Sequence, residues 1–205
     1  MAAPGGLLMA KIMIPETEEV KNELTAKEAQ DNEYTNIFDA AASGAANGLH
    51  LALNVGAMLL AFIGLIALLN GLIGWGGGFF GAQDISFQVI LGYVFQPIAW
   101  TLGVPWEEAN IAGSFIGQKM VVNEFVAYLD FLKYQEQLSP ITQAIVIFSL
   151  CGFANFSSIA ILMGGIGAMA PTRRKEIAQL GLKTVLAATL ANLMSAALAG
   201  FYLSL

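Results

Sequence analysis

The residues able to do chemistry in this chain lie in two short polar stretches embedded in apolar sequence. The first is Gly117-Gln-Lys-Met-Val-Val-Asn-Glu-Phe-Val-Ala-Tyr128, which carries Lys119, Asn123 and Glu124. The second is Cys151-Gly-Phe-Ala-Asn-Phe-Ser-Ser158, which carries Phe153, Asn155 and Ser158. An ionisable group in apolar, membrane-type sequence is costly unless it has a partner or lines a wet cavity, so Glu124 marks a substrate or ion path. Two polar breaks in neighbouring apolar segments are the pattern of a transporter's midplane binding site. The chain has a single histidine and a single cysteine, with no HExxH and no Ser/His/Asp set. No metal site is expected, and the chain reads as a non-enzyme.

The elements that must position these residues are those of a membrane protein. The sequence is 57% hydrophobic and only 12% charged, against roughly 25% charged in soluble domains. Its net charge of −6 is local, because 8 of its 15 acids fall between Glu16 and Asp39. A basic surface for nucleic acid is missing. Residues 1–44 read as a polar, acidic connector. Residues 45–78 read as a long transmembrane scaffold helix, whose charge-free core Leu51–Leu69 can span a hydrocarbon layer of about 30 Å. Within 79–205, residues 86–104 form an interfacial segment interrupted by Gly92, Pro97 and Gly103. Residues 107–137 hold two apolar pieces too short to span alone, joined by the Lys119–Glu124 tip, and so predict a re-entrant hairpin. Residues 140–170 predict a discontinuous helix broken at Gly152–Phe156, whose half-helix ends can hold polar ligands or ions. Residues 177–205 form a last span. The cluster Arg173-Arg174-Lys175 favours a cytoplasmic loop there. The expected fold class is an all-α, multi-pass integral membrane protein.

On these same residues the chain resembles the concentrative nucleoside transporter family. That family's signature of Gly, any residue, Lys, three residues, then Asn-Glu-Phe-Val-Ala and an aromatic is met by Gly117, Lys119 and Asn123–Tyr128 without departure. Its Gly-Phe-Ala-Asn-Phe-Ser-Ser segment matches Gly152–Ser158. Lesser similarities are Leu51–Ala57, Pro97–Trp100 and Gly103–Trp106. The resemblance implies cation-coupled (Na+ or H+) import of nucleosides across the cell membrane by homotrimers built from two inverted repeats. The chain is similar to the C-terminal portion, holding the second repeat. A first-repeat half, with the nucleobase contacts and most of the cation site, is then required as partner. Apart from the coupling ion, no cofactor is implied.

Carried over by position, Glu124 and Asn155 bind the ribose hydroxyls, Ser158 lies beside them, and Phe153 packs against the ligand. The chemistry agrees: a carboxylate accepts hydrogen bonds from two vicinal hydroxyls, and a carboxamide both donates and accepts. Lys119 and Asn123 have a supporting role. Lys119 is expected to be structural and Asn123 to satisfy backbone at the tip; a structural ion pair with Lys119 is the bland alternative to ligand contact by Glu124. Asn192 reads as an interhelical hydrogen-bonder. A rival reading is a truncated, non-transporting assembly or regulatory membrane protein on the same scaffold.

Overall fold

A computed structural model describes residues 2–15, 35–79, 81, 85–159 and 174–205. Their regular structure is helical. It comprises α1 (Ala2–Met13), α2 (Ile37–Gly78), α3 (Phe87–Thr101), α4 (Trp106–Val121), α5 (Glu124–Tyr134), a 3-10 turn (Gln135–Gln137), α6 (Pro140–Leu150) and α7 (Arg174–Leu203). The chain divides into two compact units, Glu16–Leu65 and Met1–Pro15 with Ile66–Leu205. The acidic stretch 16–34, the far arm of the expected broken helix beyond Ile159, and Arg173 lie outside the described residues.

In the smaller unit α2 begins at Ile37 rather than at 45, because the sequence before it carries a cap. The Asn36 carboxamide accepts from the Asp39 backbone at 2.9 Å, and Asp39 accepts from Thr35 N–H and O–H at 3.0 and 2.9 Å. Such reciprocal bonds satisfy the orphan donors of a first turn. The Thr35 backbone and side-chain donors also hold the Asp39 carboxyl below its usual range.

The larger unit holds both polar stretches. Residues 2–13, within the expected connector, form a helix packed on α7, where Gly5 sits against Ala191 and Met194. The helices α3 and α4 meet at a bend of 115°. They approach closely because Gly113 has no side chain: a Cβ there would stand 2.8 Å from the Gln96 nitrogen and 2.9 Å from the Gly92 carbonyl. Small residues permit such backbone contact in lipid, where dispersion and not the hydrophobic effect drives helix association. Next, α4 and α5 fold back as a helical hairpin. The fully buried Phe115 of α4 fills it, edge-on to Phe131 at 5.7 Å. Truncation of so buried an aromatic costs about 3–5 kcal/mol.

Pro140 starts α6 at the position where a missing N–H is harmless, and Ser139 caps it by accepting from Thr142 N. This helix runs parallel to α4, since Glu108 meets Ser139 at one end and Lys119 meets Ser149 at the other. The core is Ala109, Ala112, Phe115 and Ile116 of α4 with Ala127, Phe131, Ile145, Val146, Leu150 and Ala196. Among the described residues, one helix, Lys175–Leu203, is long and apolar enough to cross a membrane alone.

Candidate functional site

The site forms where the hairpin tip meets the break after α6. At the tip, Asn123 is extended and caps α5, its carboxamide oxygen accepting from Val126 N at 2.9 Å. Asn is favoured there because its short side chain reaches the free N–H groups of the first turn. Glu124 is therefore the first residue of α5, where the helix dipole favours a carboxylate.

Across from it the chain leaves α6 at Cys151 and turns at Gly152, whose φ is +129°. A side chain here would be strained by conformation and would also strike the Asn192 amide at 2.9 Å. The Phe156 N–H then donates to the Met120 carbonyl at 3.2 Å, fastening the break to the tip through backbone. Helix resumes at Ser157.

Asn155 is almost completely buried, at 1% exposure. Its oxygen faces three donors: Ser157 Oγ at 2.7 Å, Ser158 N at 2.8 Å and Ser158 Oγ at 2.8 Å. This fixes the amide, because only its NH2 can then point at Glu124, to whose Oε2 it donates at 2.9 Å. The Ser158 hydroxyl also lies 2.5 Å from the Phe153 carbonyl and gives its one proton to either oxygen in turn. Glu124 Oε1 and the second Nδ2 proton of Asn155 have no hydrogen-bond partner among the described residues. One carboxylate acceptor and one amide donor thus stand side by side, and Glu124 itself is only half-buried. Phe153 is 73% exposed.

Lys119 does not pair with Glu124. No ion pair of 4.0 Å or less joins them. The buried ammonium instead donates to the Ser149 carbonyl at 2.6 Å. With the Asn192 amide turned so that its oxygen faces the ammonium, it also donates there at 2.8 Å, and Asn192 Nδ2 donates to the Cys151 carbonyl at 3.0 Å. Tyr128 Oη donates to the Ile147 carbonyl at 3.1 Å, 3.5 Å from Cys151 Sγ. The carbonyl end of α6 is therefore covered by hairpin side chains.

Glu124, Asn155 and Ser158 come together, with Asn123 behind Glu124 and Phe153 beside the break. The backbone carbonyls of Ser149 and Cys151 carry no signal in sequence, and Asn192 gives no hint of its partners. Tyr128 was visible as the closing aromatic of the first polar stretch.

A family model described as the Na+ dependent nucleoside transporter C-terminus matches residues 1–200. The chain is 56% identical over 206 residues to the uncharacterized transporter YutK of Bacillus subtilis, covering 99% of this chain and 50% of that protein. It is 47% identical over 210 residues to the nucleoside permease NupC of Helicobacter pylori, covering 100% of this chain and 50% of that protein. Among solved structures, CNTnw in an inward-facing substrate-bound state matches with a TM-score of 0.89 at 55% identity, over 98% of this chain and 48% of that one. The chain spans about half the length of the curated relatives it matches.

Proposed function

Because the chain belongs to the family of Na+ dependent nucleoside transporters, an all-α integral membrane family, we propose that it is the C-terminal part of a cation-coupled nucleoside symporter of the cell membrane. Sodium is the coupling ion, consistent with the family's description. The α4–α5 hairpin is re-entrant, α6 with the break at Gly152–Phe156 is the first part of a discontinuous helix, and the working unit is a homotrimer whose subunits also contain a first repeat.

The observation that carries this reading is the Glu124–Asn155 pair, held at 2.9 Å with one acceptor and one donor to spare. A cis-diol offers the complementary set. One ribose hydroxyl donates to Glu124 Oε1, and its neighbour accepts from Asn155 Nδ2 while donating to the carboxylate. Ser158 and Ser157 hold the carboxamide in the orientation this needs, and Phe153 covers the ligand with an apolar face. Hydrogen bonds to a charged group contribute about 1.5–3 kcal/mol each, and a buried site left unpaired rejects the analogue that lacks the hydroxyl.

The test is uptake of labelled uridine into proteoliposomes carrying the full-length protein. An inward Na+ gradient is expected to drive accumulation, with little remaining when choline replaces Na+. Unlabelled 3′-deoxyuridine is expected to compete about 100-fold more weakly than uridine. Equal competition by the two would remove the diol assignment, and no accumulation under any cation gradient would remove the transport reading.

A further inference from the structure

The Lys119–Asn192 tie meets the break at Cys151 and Gly152, next to the segment that carries Asn155. Lys119 is buried, at 4% exposure, and its side chain joins three elements: α4 through its own backbone, α6 through the Ser149 carbonyl and α7 through Asn192. Asn192 is also buried and passes the contact on to the Cys151 carbonyl. The Gly152 α-carbon packs so closely on Asn192 that a Cβ would not fit. Three residues beyond Gly152 stands Asn155.

A helix ending inside a membrane protein leaves carbonyls that must find a donor or a cation. Such an end attracts positive charge and is where a transporter can coordinate a dissociable ion. Here a lysine ammonium occupies it, tethered to the hairpin. We propose that Lys119, acting through Asn192, is a positioning residue for nucleoside binding. It is a built-in cation that pins the carbonyl end of α6 and the Cys151–Gly152 turn, so that Asn155 arrives opposite Glu124. This assignment rests on the nucleoside reading of the Glu124–Asn155 pair, but its geometric core does not.

Two readouts separate these layers in the full-length protein. The first is uridine uptake by Lys119→Met, which keeps the chain length and removes the charge. KM is expected to rise about 10-fold, the loss of one charge-assisted hydrogen bond, with a smaller change in the maximal rate. Asn192→Asp retains an acceptor for the ammonium but loses the donor to the Cys151 carbonyl, and its KM is expected to rise as well. It decides the matter if Lys119→Met fails to reach the membrane. The second readout is peptide-resolved alkylation of Cys151, which is exposed. Release of the turn is expected to speed its labelling at least about 3-fold in either variant, whether or not nucleoside is transported. Wild-type KM together with wild-type labelling in a membrane-inserted variant overturns the proposal. A wild-type protein that fails to bind uridine, with labelling still accelerated in the variants, overturns the nucleoside reading alone.

Discussion

Two glutamates of the hairpin meet the following segment at opposite ends, and they are used differently. Near the start of α4, Glu108 faces Ser139. Its oxygens accept from the Ser139 backbone N–H at 3.2 Å each and from the Ser139 hydroxyl at 3.0 Å. At the tip, Glu124 faces Asn155 and spends one oxygen on a single bond of 2.9 Å. Both pairs are separated by 31 residues. The first junction engages both carboxylate oxygens and works as a clasp. The second keeps hydrogen-bonding capacity in reserve within a polar pair whose carboxamide is locked from behind. Two carboxylates of one hairpin thus differ in what their partners leave over.

Neutralising each in turn gives the largest contrast. Glu124→Gln in the full-length protein is expected to lower kcat/KM for uridine uptake about 100-fold, by loss of charge-assisted bonds to the ligand, with little change in thermal unfolding. Glu108→Gln is expected to do the reverse. It costs about 1–2 kcal/mol of stability, because an amide cannot accept all the Ser139 donors, and leaves KM within about 2-fold. Uptake assays paired with melting curves decide it. If Glu108→Gln impairs uptake as severely as Glu124→Gln, the two junctions are not distinct.

The turn behind Asn155 gives an intermediate effect. Gly152→Ala adds a Cβ at a φ of +129° and 2.9 Å from the Asn192 amide. It is expected to cost about 1–3 kcal/mol of local strain and to raise KM about 10-fold by displacing Asn155 from Glu124. A KM at the wild-type value would mean that Asn155 is held by its serines alone and that the turn contributes nothing to the site.

Sequence made the site legible where chemistry depends on side-chain type. Glu124, Asn155 and Ser158 stand out as polar groups in apolar surroundings, and the structure brings them together. The first hairpin arm and the helix after the hairpin were legible too, because Pro105 and Pro140 open them, and the polar tip interrupts an apolar run. What escaped was partnership through backbone. The Ser149 and Cys151 carbonyls are identical to every other carbonyl in the sequence, so Lys119 reads there as structural without its helix-end partner being legible. The start of α2 at Ile37 escaped for a related reason. Its cap of Thr35, Asn36 and Asp39 is built from polar residues that continue the acidic stretch, and composition alone cannot divide a capped helix from the chain before it. The helix at 2–13 was hidden likewise, since Pro4, Gly5 and Gly6 argue for a turn. Gly5 is tolerated because its missing side chain admits Met194 and Ala191 of α7.

The smallest expected effect tests how the Asn155 lock is shared. Three donors converge on its oxygen, two of them from Ser158. Ser158→Ala removes the hydroxyl but leaves the Ser158 N–H at 2.8 Å and Ser157 Oγ at 2.7 Å. Two donors still dictate which way the amide faces, so its NH2 continues to meet Glu124. The lost neutral hydrogen bond contributes about 0.5–1.5 kcal/mol, and KM for uridine is expected to rise about 3-fold with unchanged selectivity against 3′-deoxyuridine. A larger rise that falls on uridine and spares the deoxy analogue would place the Ser158 hydroxyl against the ribose itself. The lock and the recognition surface would then share a residue, and the division between a fixed carboxamide and a free binding edge would have to be redrawn one helical position further along the break.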